Sequence, residues 1–165
     1  MIRPVTPADA PALAALYNPY IRDTTITFEE DPVTAEEMAA RIAKVTEAYP
    51  WLVWEEEGRV LGYAYSSVWR ARAAYRHSTE TAIYLAMDQR QKGAGTRLYQ
   101  ALLDELRARG FHLVLGGLAL PNEASVRLHE KLGFKNAGHM REAGRKFDRW
   151  IDVGFWELLL EGDAP

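Results

Sequence analysis

Tyr84–Leu85–Ala86–Met87–Asp88–Gln89–Arg90–Gln91–Lys92–Gly93–Ala94–Gly95–Thr96 decides how the rest of the chain is read. Its apolar start reads as the end of a strand. Leu98, Leu102 and Leu106 then recur at helical spacing directly after Gly95. Between the two lies Arg90-x-x-Gly93-x-Gly95. A strand, loop and helix in this order turn a row of backbone N–H groups and a positive helix end toward an anion. The glycines let main chain lie against that anion with no Cβ in the way.

Two familiar phosphate loops do not fit. A Walker loop ends in Gly-Lys-Ser/Thr, whereas Gly95 is followed by Thr96 and Arg97. A dinucleotide fingerprint needs a third glycine, where this chain has Leu98, and it opens a βαβ unit near the start of a domain. The reading that remains is a loop for the pyrophosphate arm of coenzyme A. Taken alone, the loop fits better a glycine-rich turn that does no more than start a helix.

The 165 residues suffice for one domain that buries about 70% of its unfolded surface. A net charge of −3 offers no general attraction to nucleic acid or anionic lipid, so basic residues act locally. The absence of cysteine excludes disulfides, a cysteine nucleophile and thiolate metal sites. No metal is expected. No apolar run spans a bilayer, and Met1–Ile2–Arg3–Pro4 lacks the apolar core of a signal peptide. A cytoplasmic protein is the expectation.

Outward from the loop, the pattern predicts β-α-α-β-β-β-α-β-α-β-β without repeats or linkers. A strand near Ile2–Val5 precedes a helix that Thr6 caps, with Pro7 first and Leu13, Leu16, Tyr17 and Tyr20 facing inward. Thr34–Ala35–Glu36–Glu37 is a capping box for the second helix. Trp51–Trp54 and Val60–Tyr65 read as a hairpin, and Thr79–Met87 as the next strand. The helix after the loop covers Gly95–Arg109, then comes a strand over Phe111–Leu120. Ala124–Leu132 forms a short helix closed by Gly133, and Arg149–Leu160 a last antiparallel strand. The result is a mixed α/β (α+β) fold on one central sheet. Crossovers through the helices at 95–109 and 124–132 imply parallel pairing in the second half.

Certain residues stand out for chemistry. Glu80 sits within an alternating strand, where a carboxylate is costly unless paired or functional. Partial burial raises its pKa and fits it for deprotonating an ammonium; a salt bridge to Arg70, Arg72 or Arg76 is the alternative. Gln91, Lys92, Gly93, Ala94, Gly95 and Thr96 are the pyrophosphate candidates, with charge from Arg90 and Lys92. Asn122 follows the next strand and suits either a ligand hydrogen bond or a turn and helix cap. Tyr75 and Arg76 suit an acceptor carrying a carboxylate or phosphinate, which guanidinium pairs in bidentate fashion. The Gly116–Gly117 pair weakens its strand or marks a close backbone approach.

Several motifs in the same order resemble the phosphinothricin N-acetyltransferase family of the GNAT superfamily. They are Thr27–Phe28–Glu29, Tyr75–Arg76, Thr79–Glu80, Arg90-x-x-Gly93-x-Gly95, Asn122-x-x-Ser125, Leu128–His129–Glu130–Lys131–Leu132–Gly133–Phe134, and Lys146–Phe147–Asp148–Arg149–Trp150–Ile151–Asp152–Val153. The resemblance runs from about Ile2 to Leu160. It implies a GNAT fold, a mostly antiparallel central sheet with about four helices, and transfer of acetyl from acetyl-CoA to a small amino acid of the phosphinothricin, methionine sulfoximine or methionine sulfone type. It implies a homodimer. It also implies that the pantetheine arm inserts beside Ile83, Tyr84 and Leu85, and that Glu80 is the general base. His129, where many GNAT enzymes carry tyrosine, is implied to protonate the departing thiolate or to pack against the coenzyme.

Phe28 and Glu29 are expected to border the acceptor site, and Lys146 and Arg149 to contact the acceptor or a partner subunit. His77 is grouped with the acceptor contacts although, like Leu85, it departs from the residue relatives usually carry. Two competing functions remain: a non-catalytic acetyl-CoA-binding module, against which Glu80 argues, and an acetyltransferase of protein or peptide amines.

Overall fold

Seven strands join edge to edge in the order β1-β2-β3-β4-β5-β7-β6 to form the frame of the molecule. The computed structural model describes residues 1–89 and 91–160. Within them lie β1 (Ile2–Pro4), α1 (Ala10–Asp23), α2 (Ala35–Thr46), β2 (Trp51–Glu56), β3 (Arg59–Val68), β4 (Ser78–Leu85), α3 (Ala94–Ala108), β5 (Leu113–Leu120), α4 (Glu123–Lys131), β6 (Lys135–Lys146) and β7 (Arg149–Leu159). The element order matches the sequence expectation throughout, and all strand pairs but one are antiparallel.

Helix starts follow local chemistry. At α2 the Thr34 hydroxyl accepts the Glu37 N–H at 3.1 Å and the Glu37 carboxylate accepts the Thr34 N–H at 2.8 Å, a closed capping box. Ahead of α1, Thr6 stands at the N-cap with Pro7 first, as expected, but the opening turn is tighter than an α-turn. Asp9 takes both the N–H and the hydroxyl of Thr6, at 2.7 and 2.9 Å, so Pro7–Asp9 becomes a 3₁₀ turn. The α-helix begins only at Ala10.

Each face of the sheet carries its own core. Leu98, Tyr99, Leu102, Leu103 and Leu106 of α3 pack with Leu52, Ala64 and Val114 on one face. Leu13, Leu16 and Tyr17 of α1 and Met38 and Ile42 of α2 pack with Trp51, Val53 and Tyr63 on the other. Strand alternation follows from this. Thr81, Ile83 and Leu85 turn toward α3, and Glu80, Ala82 and Tyr84 toward α1 and α2.

The second expected crossover works out differently. The α3 crossover makes β4 and β5 parallel neighbours, as predicted. After α4, however, β7 inserts between β5 and β6, so the second crossover leaves no hydrogen-bonded parallel pair. The β4–β5 ladder is itself short. It joins Ser78–Thr81 to Leu113–Gly116 and then stops, although β4 runs to Leu85 and β5 to Leu120. Beyond that point the two strands part into a fork.

Candidate active site

The fork presents main chain from two strands that no longer pair with each other. Thr81–Tyr84 of β4 form one wall and Gly117–Ala119 of β5 the other; Asn122, Ser125 and His129 of the α4 region close one side. Residues 82–85 and 117–120 have no ladder partner across the gap. Unpaired amide groups facing a narrow slot are the complement of a peptide-like arm, which can hydrogen-bond to both strands. A larger cleft of about 670 Å³ lies elsewhere, beside Arg3, Asp9, Glu55 and Arg59. Arg3 there is bonded to both Asp9 and Glu55.

The floor of the fork is set by two glycines. A Cβ on Gly116 would come 2.4 Å from His129 Nε2, and one on Gly117 would come 3.0 Å from Glu80 Oε1. Consecutive strand residues point to opposite faces, so His129 and Glu80 approach β5 from opposite sides of the sheet. The sequence allowed a weakened strand or a close approach of backbone at the glycine pair; what lies close is instead two side chains.

Glu80 stands opposite Ser67 on β3 and is half-buried. Among the described residues its carboxylate has no hydrogen-bond or ion-pair partner. Burial alone pushes its pKa above the ordinary carboxylate value. The salt bridge to Arg70, Arg72 or Arg76 that the sequence allowed is not formed. Arg76 instead donates to the Ala73 carbonyl at 3.1 Å, and Arg70 lies over the Trp69 ring.

His129 is 2% exposed. Its Nδ1 meets the Ser125 carbonyl at 2.8 Å and its Nε2 the Tyr99 hydroxyl at 3.0 Å. Tyr99 lies 2.5 Å from Thr81 Oγ1, which donates to the Leu115 carbonyl at 3.0 Å. Burial lowers the imidazole pKa, and the Ser125 carbonyl partly opposes it. Sequence reasoning missed Tyr99 and Thr81. Tyr99 falls in the leucine stripe of α3, and the one available signal was a hydroxyl in an otherwise aliphatic face.

The β4–α3 loop has the geometry its glycines predict. Gly93 adopts φ +78° at the start of α3. Gly95 packs close to Leu85, where a Cβ would meet Leu85 Cδ1 at 3.3 Å. The first full helical bond runs from Arg97 N–H to the Gly93 carbonyl, so the N–H groups of Gly95 and Thr96 lie in the open first turn of the helix. Gln91 and Lys92 are exposed, Ala94 is buried and Thr96 is half-buried. Arg90 lies outside the described residues. Asn122 caps α4, with its side-chain oxygen accepting the Ser125 N–H at 3.2 Å, while it also lines the fork. Ile83 and Leu85 pack under α3, and Tyr84 meets Tyr17 and Tyr20 edge to face and Tyr63 at a tilt.

The expected acceptor contacts scatter. Tyr75 ends a 3₁₀ turn just before β4 and is exposed, as is Arg76. His77 turns away from the fork: its Nδ1 meets the Gly110 carbonyl at 3.3 Å, and its own carbonyl accepts the N–H groups of His112 and Leu113. Lys146 is buried, and its ammonium donates to the Thr27 carbonyl at 2.8 Å. It thereby holds the 24–34 loop, whose Ile26 lines the fork. Phe28 lies against Gly144 of β6. Glu29 pairs with Arg41. Burial raises the Glu29 pKa, but bonds from Arg41 and Tyr17 outweigh it and leave the group lowered.

A family model for the acetyltransferase (GNAT) domain matches residues 2–154. The chain is 42% identical over 164 residues to a phosphinothricin N-acetyltransferase of Streptomyces viridochromogenes, covering 99% of this chain and 90% of that relative. It is 40% identical over 162 residues to an L-methionine sulfoximine/L-methionine sulfone acetyltransferase of Pseudomonas paraeruginosa, covering 97% and 94%. The crystal structure of a GNAT superfamily phosphinothricin acetyltransferase from Sinorhizobium meliloti in complex with acetyl-CoA superposes with a TM-score of 0.94 at 36% identity, covering 100% of this chain and 91% of that one.

Proposed function

This chain belongs to the GNAT acetyltransferase family and is an acetyl-CoA-dependent N-acetyltransferase, and on that premise we propose that its acceptor is a small amino acid or analogue of the phosphinothricin, methionine sulfoximine or methionine sulfone type. Relatives named for those acceptors align over nearly the whole chain. The observation that carries the mechanism is Glu80: a half-buried carboxylate beside Gly117 of the fork, with raised pKa and no partner among the described residues.

In this reading Glu80 takes the proton from the acceptor's ammonium, directly or through water, and frees the amine to attack. Along Ile83, Tyr84 and Leu85, the N–H groups that point away from β3 into the fork hold the pantetheine arm and face the oxygen on which charge develops. Gln91, Lys92, Gly93, Ala94, Gly95 and Thr96, with Arg90, cradle the pyrophosphate, and Asn122 bonds the arm through the amide hydrogens its cap leaves over. His129 is the source of the proton that neutralises the leaving thiolate. Tyr75 and Arg76 bind the acceptor's acidic group, and Phe28 borders it. His77 and Lys146 act through structure, by tying β4 to the α3–β5 turn and the 24–34 loop to β6.

The chain acts as one acetyltransferase domain on a single sheet, in the cytoplasm, where acetyl-CoA is available. It works as a homodimer. The support is the outer hairpin: β6 is an edge strand, and Met140 on β6, Phe147 in the turn and Trp150 at the start of β7 are 53%, 50% and 62% exposed. Sedimentation velocity at micromolar concentration reads the assembly directly, and a species of 18.7 kDa alone refutes the dimer.

The decisive assay is release of free thiol from acetyl-CoA with methionine sulfone, methionine sulfoximine, phosphinothricin and a panel of peptides. Turnover on the free amino acids and none on peptides is expected. Turnover on peptides alone makes it a protein-amine acetyltransferase, and tight coenzyme binding with no turnover on any amine makes it a binding module.

A further inference from the structure

Both ring nitrogens of His129 are already engaged, so the imidazole cannot hand a proton to the fork from where it sits. Nδ1 faces the Ser125 carbonyl, which only accepts, so Nδ1 carries a hydrogen. From Nε2 the chain runs through the Tyr99 hydroxyl and the Thr81 hydroxyl to the Leu115 carbonyl. It begins and ends on a backbone carbonyl and has four links. With the imidazole neutral, three hydrogens serve those four links: one each on Nδ1, Tyr99 and Thr81. A further hydrogen on Nε2 gives every link its own donor. The network is complete only when His129 holds a second proton.

From this count we infer that Tyr99 and Thr81 form a relay that carries the proton of His129 to the fork, with the Thr81 hydroxyl as the group that hands it over. The inference rests on the acetyltransferase reading above. Thr81 and His129 both line the fork, whereas Tyr99 lies behind them, fully buried. As the thioester C–S bond breaks, its electron pair goes to sulfur. The Thr81 hydroxyl proton moves to that sulfur, the Tyr99 proton to Thr81 Oγ1, and the Nε2 proton to the Tyr99 oxygen. The imidazole is left neutral, with Nδ1–H still on Ser125. Hydronium from bulk water returns the proton along the same path once the thiol has left. Tyr99 is a positioning residue, since it acts through His129 and Thr81.

Few charged groups bear on the ring. It meets Tyr99 from α3, Gly116 from β5 and Phe134 from the turn after α4. Glu130, next on its own helix, accepts from the Trp156 indole at 3.4 Å, and Glu80 of β4 lies across the sheet. Burial opposes a second proton on the ring, and the completed chain of donors works against burial.

Tyr99→Phe keeps the ring and removes the central link. In coenzyme-free protein with ¹⁵N-labelled histidine, its His129 titration midpoint is expected to fall by about one pH unit, a tenfold weaker hold on the proton, because Nε2–H has lost its acceptor. In thiol-release assays kcat is expected to fall roughly tenfold or more, with KM unchanged for both substrates. Thr81→Val is expected to show the same split, and Thr81→Ser, which keeps a hydroxyl, to restore most of the lost kcat. A midpoint that stays or rises in Tyr99→Phe overturns the inference, since the hydroxyl then only donates to a neutral ring. An unchanged kcat in Thr81→Val overturns it too. A wild-type enzyme that releases no thiol refutes the acetyltransferase reading instead, and the titration still decides where the hydrogens lie.

Discussion

Gly116 and Gly117 are neighbours in one strand, yet the groups seated on them live under opposite rules. On the α1/α2 face Glu80 lies against Gly117 with no partner among the described residues, and burial shifts its affinity for a proton. On the α3/α4 face His129 lies against Gly116 with every polar atom engaged, in a chain anchored on two backbone carbonyls. One side leaves a titratable group free to exchange a proton with whatever enters the fork. The other fixes a titratable group so that its proton moves only along a set path. A sheet strand serves both because alternation sends adjacent residues to opposite faces, and two glycines remove the side chains that would hold both groups away.

The largest effect should come from the free side. Glu80→Gln keeps the shape and removes the base. The expected loss in kcat/KM is about 10²–10⁴-fold, with acetyl-CoA affinity unchanged by calorimetry. A variant as active as wild type near neutral pH would erase the contrast between the two faces.

Next comes the seat of the fixed side. Gly116→Ala places a Cβ 2.4 Å from His129 Nε2 and 2.8 Å from its Cδ2. The imidazole is held at both ends and has no room to yield. Overpacking of this kind costs about 1–3 kcal/mol, or about 2–4 °C in Tm per kcal/mol for a chain of this size. Calorimetric scans of the two proteins check it.

The pH dependence separates the faces by sign. The folded-state pKa of Glu80 is raised, so its penalty is absent below the unfolded value of about 4.3 and grows as pH rises through the folded value. Glu80→Gln should therefore melt higher than wild type at pH 8 and at the same temperature near pH 4. The His129 pKa is lowered, so its contribution is present above about 6.5 and is lost as pH falls through the folded value. Wild-type stability should accordingly sag at both ends. The acid limb of kcat/KM, set by Glu80, should lie above the ordinary carboxylate range and vanish in Glu80→Gln.

Much of this was legible before any coordinates. Periodicity located the elements because α3 repeats Leu98, Leu102 and Leu106 on one face, and Thr34–Glu37 closes its box within four residues. Local signals failed where a distant or competing partner decided. Asp9 bonds Thr6 so closely that the turn it caps winds as 3₁₀ before α1 begins. The place of β7 between β5 and β6 is a sheet-wide choice that no window of sequence records. Lys146 reads as a contact to the acceptor or a partner subunit, and only the Thr27 carbonyl, far away in sequence, accounts for where its ammonium goes. At the site, Glu80 and the glycine pair announced themselves through residue types that strands avoid. Tyr99 and Thr81 did not, because a tyrosine in a leucine stripe and a threonine in a strand are ordinary until folding brings their hydroxyls together.

The smallest effect tests the comparison most finely. A Cβ on Gly117 would stand 3.0 Å from Glu80 Oε1 and 3.2 Å from Phe155 Cε1. The first is the far end of a flexible side chain with no bonds to break, so the carboxylate can rotate aside. Gly117→Ala should therefore change stability by less than about 0.5 kcal/mol, the ordinary range for a substitution without a destabilising mechanism. Its kcat should drop several-fold all the same, because a base displaced by a few tenths of an ångström no longer meets the ammonium well. Gly116→Ala should do the reverse in proportion, with stability lost first. If Gly117→Ala instead melts as low as Gly116→Ala, then Glu80 is held as firmly as His129, and the two faces do not differ in the way their hydrogen bonds imply.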